Sequence, residues 1–135
     1  MESKTAFDMV KALGGSPTPI SFGELYTSLQ QGVVDGAENN PPSFYLSRHY
    51  EVCKYYTLDE HTILPDVLLM STHIWDSFSD KERGWLSQAV KESITEQRKL
   101  WAKSEKQSLD AVKEAGVEII IPDKTLFSKK SKIIL

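Results

Sequence analysis

The residues of this sequence best suited to catalysis or metal binding are three histidines and one cysteine. His49, His61 and His73 follow one another at intervals of twelve residues, and no pair has the HxxxH or HExxH spacing of a metal site. Cys53 lies among apolar and aromatic residues, which is typical of a small buried hydrophobe, with a reactive thiol as the alternative. Glycine-rich phosphate loops are also absent from the sequence. We therefore expect no catalytic residue, no metal and no cofactor.

A polar segment between Val34 and Ser43 is the strongest candidate for ligand binding. Its two asparagines, Asn39 and Asn40, each offer a hydrogen-bond donor and an acceptor that could hold the carboxylate or hydroxyls of a ligand. The same two residues also suit a turn and the N-cap of a helix that begins at Pro41. Both interpretations stay open on spacing alone.

Composition indicates a globular protein of ordinary size. The 135 residues are 40% hydrophobic and 26% charged. The net charge of −3 gives no reason to expect nucleic acid as a partner. The longest apolar run, Val67 to Met70, is too short to span a bilayer. The first residues lack a charged region followed by an apolar one, so we expect no signal peptide in this chain.

Periodicity and capping patterns predict alternating helices and strands. Five helices are expected. The first ends at Gly14, the second runs from Ser21 to Gly32, and the third follows Asn39 or Asn40. The fourth runs from Ser79 to Ala115, and the fifth covers 124–127. Five strands are expected at 16–20, 33–34, 54–58, 65–71 and 117–121. Alternation of this kind predicts an α/β domain with a largely parallel core and one long helix.

One long segment is similar to a known family. The run PTPISFGELYTSLQQGVVDGAENNPPSFYLSRHYEVCKYYTLDEH resembles the central signature of the DctP-family solute receptors of tripartite ATP-independent periplasmic (TRAP) transporters. The similarity continues through PDVLLMS to the closing GVEIIIPD and covers Leu13 to Phe127. The resemblance implies a type II periplasmic-binding-protein fold with two α/β domains, a cleft between them and a long helix that spans both. Residues 1–135 would form one truncated, partial domain, without the N-terminal domain and the C-terminal helix.

The resemblance also implies roles for five residues. Asn39 matches the asparagine that hydrogen-bonds the ligand carboxylate, and Phe22 matches an aromatic residue beside it. His61 and Asp66 fall where the family faces the polar end of the ligand, and Asn40 adds an amide next to Asn39. The alternatives are ordinary core packing for Phe22 and a structural role for His61. The pattern is most similar to relatives that bind uronates and related sugar acids, and a carboxylate at position 66 suits a ligand rich in hydroxyls.

One family feature is missing from the chain. The family holds the ligand carboxylate with an arginine, whose guanidinium can form two parallel hydrogen bonds. Arg48, Arg83 and Arg98 do not match its position. We therefore expect this chain alone to bind a sugar acid weakly or not at all.

The resemblance implies a transport function that involves no chemistry on the ligand. The expected partners are an organic acid and the membrane permease subunits of a sodium-driven TRAP transporter, with a periplasmic location for the longer parent protein. Uncovered apolar surface would favour self-association of the chain. The alternatives are an α/β interaction module, whose long helix docks a partner, and a remnant that binds no ligand.

Overall fold

The computed structural model describes residues 4–131. Within that range the chain forms six α-helices: α1 (Lys4–Leu13), α2 (Leu25–Gln30), α3 (Pro41–Leu46), α4 (Thr72–Ser77), α5 (Asp80–Glu114) and α6 (Lys124–Ser131). Two strands, β1 (Tyr55–Thr57) and β2 (Glu118–Ile120), and two 3₁₀ turns, Phe22–Glu24 and His49–Glu51, complete the regular structure of these residues. The chain divides into two compact units. The first contains residues 4–62 and 107–131, and the second contains residues 63–106.

The helices α2 and α5 are each followed by a glycine in the left-handed region. Gly32, with φ of 69°, follows α2, and the Val33 amide returns to the Ser28 carbonyl at 2.9 Å. Gly116, with φ of 90°, follows α5 in the same way. These bonds satisfy carbonyl groups that the last helical turn leaves unpaired, so both glycines act as the predicted helix stops.

Side-chain caps lie at the starts of α5 and α6, the last two helices. The Ser79 amide donates to the Glu82 carboxylate at 2.8 Å, and the Glu82 amide approaches the Ser79 hydroxyl at 3.4 Å, which confirms the predicted capping box before α5. Before α6, the Asp123 carboxylate accepts from the Thr125 amide at 2.9 Å. The hydrogen bonds from Thr125 lower the pKa of the Asp123 carboxyl. Both helices therefore start where the sequence predicts.

The small core lies in the first unit, beneath a parallel pair of strands. β1 and β2 pair in register, with Tyr56 opposite Ile119. Phe44 from α3, Val112 from α5 and Val117 are buried together against this pair. Parallel strands beside the long helix confirm the α/β class.

Cys53 packs at the edge of this core. It is half-buried and contacts the cluster of Phe44, Val112 and Val117. Burial raises the pKa of the Cys53 thiol, which disfavours the thiolate form that reacts. The interpretation as a small hydrophobe therefore fits the structure.

Three of the five expected strands are wrong. Residues 16–20 have no regular structure and no ladder partner among the described residues, and Pro17 and Pro19 have no amide hydrogen to give to a ladder. Val33 uses its amide to end α2, so the pair 33–34 forms a bend. Residues 65–71, expected as a buried strand, are exposed and have no ladder partner in the described part of the chain.

The start of α2 also differs from the prediction. The Ser21 hydroxyl donates to the Glu24 carboxylate at 2.8 Å and caps no backbone amide. The Glu24 amide instead bonds the Ser21 carbonyl, which produces the 3₁₀ turn Phe22–Glu24 before α2.

The second unit contains α4 and the larger part of α5. Within this unit the Arg83 side chain donates to the carbonyl groups of Trp75 at 3.0 Å and Asp76 at 3.1 Å. Its guanidinium also lies 5.9 Å from the centre of the Trp75 ring. Arg83 therefore fixes the end of α4 to the start of α5. Across residues 4–131, no helix combines the length and apolar character needed to cross a membrane.

Candidate functional site

Asn40 connects the polar segment to α3. Its side-chain oxygen accepts a hydrogen bond from the Ser43 amide at 2.9 Å, and its backbone is extended, as at other N-caps. Pro41 and Pro42 occupy the first turn, where a missing amide hydrogen costs nothing. The cap interpretation of Asn40 is therefore confirmed. Its amide nitrogen is the polar group left for a ligand.

Loss of this cap should have a measurable effect on stability. Asn40→Ala should lower the free energy of unfolding by about 1 kcal/mol, because the Ser43 amide loses its acceptor. Urea unfolding followed by circular dichroism would measure the change. Asn40→Ser is the control, since serine retains an acceptor oxygen and should stay close to wild type. Equal stability of the alanine and serine variants would contradict this role.

Asn39 is held in place through both of its oxygens. Its backbone carbonyl accepts a hydrogen bond from the Tyr56 hydroxyl at 2.6 Å, and its side-chain oxygen accepts from the Asn40 amide at 3.0 Å. The residue is half-buried, and its amide nitrogen donates to none of the residues 4–131. Asn39 thus presents a fixed donor with two N–H groups available.

His61 lies between two carboxylates. Its Nδ1 is 2.8 Å from the Asp59 carboxylate, and its Nε2 is 3.9 Å from the Glu38 carboxylate. The Nε2 atom is buried and has no hydrogen-bond partner among the described residues. Because Glu38 precedes Asn39 in the chain, this contact brings the polar segment and His61 together. The Nε2 atom of His61 can donate or accept a hydrogen bond, and the Glu38 carboxylate beside it can accept one. Together they suit a hydroxyl group, which can both donate and accept.

Phe22 lies at the surface of the first unit. Its ring is 55% exposed and meets the His49 ring edge-on, with 5.7 Å between centroids. His49 itself is buried, and this burial lowers the pKa of its imidazole. The exposure of Phe22 contradicts the alternative of ordinary core packing and leaves its ring available to a ligand.

Asp66 belongs to the second unit. It is exposed within the segment without regular structure that follows Thr62, and no described residue forms an ion pair with it. Of the five predicted residues, Asn39 and Asn40 are therefore neighbours held by hydrogen bonds, and His61 is joined to them through Glu38.

The sequence-based prediction missed three residues that position the site. Tyr56 holds the Asn39 carbonyl, Asp59 orients the His61 ring, and Glu38 faces its other nitrogen. The spacing of Asp59 and His61 is a weak local signal for their contact. Tyr56 has no such signal, because it reaches Asn39 only after β1 has formed.

A cavity of about 200 Å³ opens beside His61 within the first unit. Its apolar part is formed by Met9, Leu13 and Phe127. Lys124 also lines it and is paired with the Glu60 carboxylate at 2.5 Å. Among the described residues that line the cavity, none offers an unpaired cation for a carboxylate. The polar side chains here suit hydroxyl groups better.

Comparison with known proteins identifies the family. Residues 1–133 match the family DctP, bacterial extracellular solute-binding protein, family 7. A solute-binding protein of Chromohalobacter salexigens is 41% identical over an alignment of 135 positions, which covers 99% of this chain and 40% of that relative.

Two solved structures cover nearly the whole chain. A TRAP periplasmic solute binding protein of Chromohalobacter salexigens with bound D-glucuronate has a TM-score of 0.90 and 41% identity. One from Xanthobacter autotrophicus with bound β-D-galacturonate has a TM-score of 0.87 and 40% identity. Each comparison covers 99% of this chain and 45% of the solved chain. The chain thus spans less than half the length of these relatives, and it belongs to the DctP family of bacterial extracellular solute-binding proteins.

Proposed function

We propose that this chain contributes part of a binding site for a uronate or a closely related sugar acid. The observation that carries the proposal is the side chain of Asn39, which is half-buried, fixed through its oxygen and free at its amide nitrogen. An amide nitrogen held in this way can donate to a carboxylate without losing an existing hydrogen bond or much side-chain entropy.

The neighbouring residues suit the hydroxyl groups of such a ligand. Glu38 and His61 offer acceptor and donor positions next to Asn39, and a movement of the exposed Glu38 side chain would uncover His61 Nε2. Phe22 offers an apolar ring, which suits one face of a pyranose. Asn40 adds its amide nitrogen, and Asp66 remains a predicted acceptor for hydroxyl groups of the ligand. Two solved relatives carry bound glucuronate and galacturonate, which supports this ligand class.

The site as described provides no arginine for the carboxylate. Arg48 is largely exposed and paired with Glu51 at 3.8 Å, and Arg83 is engaged with the end of α4. We propose that the cation for the carboxylate comes from a polypeptide region outside this chain. In the whole protein, the bound acid would pass to the membrane permease of a TRAP transporter, and binding would take place in the periplasm. The relatives are transport proteins that bind solutes, which agrees with a role without catalysis.

A titration followed by two-dimensional ¹H–¹⁵N NMR would test this proposal. With only part of the site, the chain should bind D-glucuronate with a Kd of about 1 mM or weaker. Amide signals of Asn39, Asn40 and His61 should shift on addition of ligand. D-Glucose is the control ligand, because it has the same ring hydroxyls but a hydroxymethyl group in place of the carboxylate. Equal shifts with glucose, or shifts confined to other regions, would overturn the proposal.

A variant should separate ligand binding from folding. Asn39→Asp preserves the shape of the side chain and the acceptor for the Asn40 amide, but it places a negative charge against the ligand carboxylate. The glucuronate-dependent shifts should disappear while the spectrum stays folded. Asn40→Ser, which keeps the helix cap, should retain most of them. Unchanged shifts in Asn39→Asp would show that Asn39 does not meet the carboxylate.

A further inference from the structure

A short link of the first unit carries His61 into the candidate site. Before it, the Leu58 amide donates to the Ile120 carbonyl at 2.8 Å, so the chain is fixed beside the two strands. After it, the Thr62 hydroxyl contacts the Met9 sulfur of α1 at 3.8 Å. The chain therefore has only the residues between these two anchors in which to change direction.

The change of direction takes place at Glu60, whose φ is 51°. This value lies in the left-handed region, which glycine enters freely and other residues avoid because their Cβ atom approaches the following carbonyl oxygen. Among the described residues other than glycine, only Arg48 and Glu60 have a positive φ. Strained backbones of this kind cluster at ligand-binding sites and active sites.

The left-handed turn at Glu60 brings its two neighbours together. It shortens the distance between the backbones of Asp59 and His61, which an extended chain would hold farther apart. The His61 Nδ1 atom meets the Asp59 carboxylate at 2.8 Å. Because a carboxylate can only accept, Nδ1 is the nitrogen that carries the hydrogen. The other nitrogen, Nε2, is then directed towards the Glu38 carboxylate at 3.9 Å.

A contact with α6 accompanies this turn. The Lys124 ammonium group pairs with the Glu60 carboxylate, and the two side chains are 46% and 70% exposed. An ion pair in solvent contributes little to stability, so this pair does not by itself hold Glu60 in the left-handed region. The anchors on either side of the link and the hydrogen bond between His61 and Asp59 supply the remaining constraint.

We propose that Glu60 is a positioning residue, whose left-handed backbone turns the His61 ring into the ligand site. The role belongs to the backbone conformation of Glu60 and not to its carboxylate. Its effect on the ligand rests on the proposed function, whereas the orientation of the ring is a property of the chain alone. Position 60 should therefore accept glycine and reject a β-branched residue.

NMR of the ring nitrogens would test this role in the chain without ligand. At alkaline pH, where histidine is neutral, a long-range ¹H–¹⁵N spectrum shows which ring nitrogen carries the hydrogen. In the wild type, His61 should carry it on Nδ1. Glu60→Gly should keep this form, and Glu60→Val should lose it because valine is strained in the left-handed region. Both variants remove the carboxylate, so the charge cannot cause the difference.

Further variants separate the backbone of Glu60 from other causes. Lys124→Gln removes the ion pair but leaves Glu60 in place, and the hydrogen should stay on Nδ1 of His61. Arg48→Val places valine at a residue with φ of 59° away from the site and should leave the His61 ring unchanged. Glu60→Ala is the milder substitution if the valine variant fails to fold, and it should give a mixture of both ring forms.

The variants at position 60 should also differ in their affinity for D-glucuronate. Glu60→Val should raise the Kd about fivefold, as expected for one lost hydrogen bond, whereas Glu60→Gly should stay within about twofold of the wild type. Shifts of the Asn39 amide signal would measure both values. Equal affinities would show that the orientation of the ring does not serve the ligand. If the wild type binds no glucuronate, the proposed function fails, and the ring spectrum still decides the role of Glu60.

Four results of the ring measurement would overturn the positioning role. Hydrogen on Nε2 of wild-type His61 would show that Asp59 does not hold the ring. The same ring form in Glu60→Gly and Glu60→Val would show that the backbone conformation is not the cause. Loss of the wild-type form in Lys124→Gln would assign the effect to the ion pair, and loss in Arg48→Val would assign it to general destabilisation.

Discussion

Replacing Phe44 by alanine is expected to lower the free energy of unfolding of the first unit by about 3–5 kcal/mol. Phe44 is buried with Val112 and Val117, and its ring lies 4.7 Å from the ring of Tyr56. The variant would open a cavity in a core with few other buried side chains. It would also loosen Tyr56, whose hydroxyl holds the Asn39 carbonyl. The effect should therefore extend from stability to the candidate site.

Phe22→Ala is the matched control for this prediction. It removes the same number of atoms, but from a ring that is largely in solvent, so its cost should stay near or below about 1 kcal/mol. Urea unfolding followed by circular dichroism would compare both variants with the wild type. The role assigned to the core would be refuted if the two alanine variants were equally stable.

Acidification is the second change with a large expected effect. Burial lowers the pKa of His49 in the folded chain, whereas the unfolded chain has the ordinary histidine value of about 6.5. Above that pH neither state binds the proton, and the full stability is present. Below it the unfolded state binds a proton that the folded state does not, so stability falls until the pH passes the folded pKa. One such group gives a slope of at most about 1.4 kcal/mol per pH unit.

Urea unfolding at a series of pH values from about 8 to about 5 would measure this slope. His49→Gln should remove the contribution of His49, whatever its effect on absolute stability. His73→Gln is the control, because His73 is exposed in the second unit. A wild-type slope that persists in His49→Gln would show that His49 is not the group responsible.

Local patterns predicted the helices well because the relevant interactions are local. The capping box of Ser79 and Glu82, the Asn40 cap and the stop at Gly116 all form between residues a few positions apart. These signals act between neighbouring residues, so they do not depend on the tertiary structure around the helix. The long helix α5 was predicted to within two residues at its C-terminal end for this reason.

Strands were harder to predict because each one needs a partner. The strands Tyr55–Thr57 and Glu118–Ile120 pair with each other, and both are among the predicted strands. Residues 65–71 have the composition of a buried strand but no ladder partner among the described residues, so their pattern alone was misleading. The same limit applies to the site. Asn39 and Asn40 could be selected from the sequence, whereas the contacts of Asn39 with Tyr56 and of His61 with Glu38 depend on the fold.

The pairing of β1 with β2 has a consequence for synthesis of the chain. Tyr55 meets Glu118, more than sixty residues later, and the first unit is assembled from two separate stretches of sequence. A ribosome must therefore release residues beyond Ile120 before this ladder can close, and the entropy of closing so long a loop is lost before any strand contact forms. Until then Phe44 and Tyr56 lack Val112 and Val117 as neighbours. The first unit of the nascent chain is thus exposed to proteases and chaperones until residues as far as Ile120 have left the ribosome.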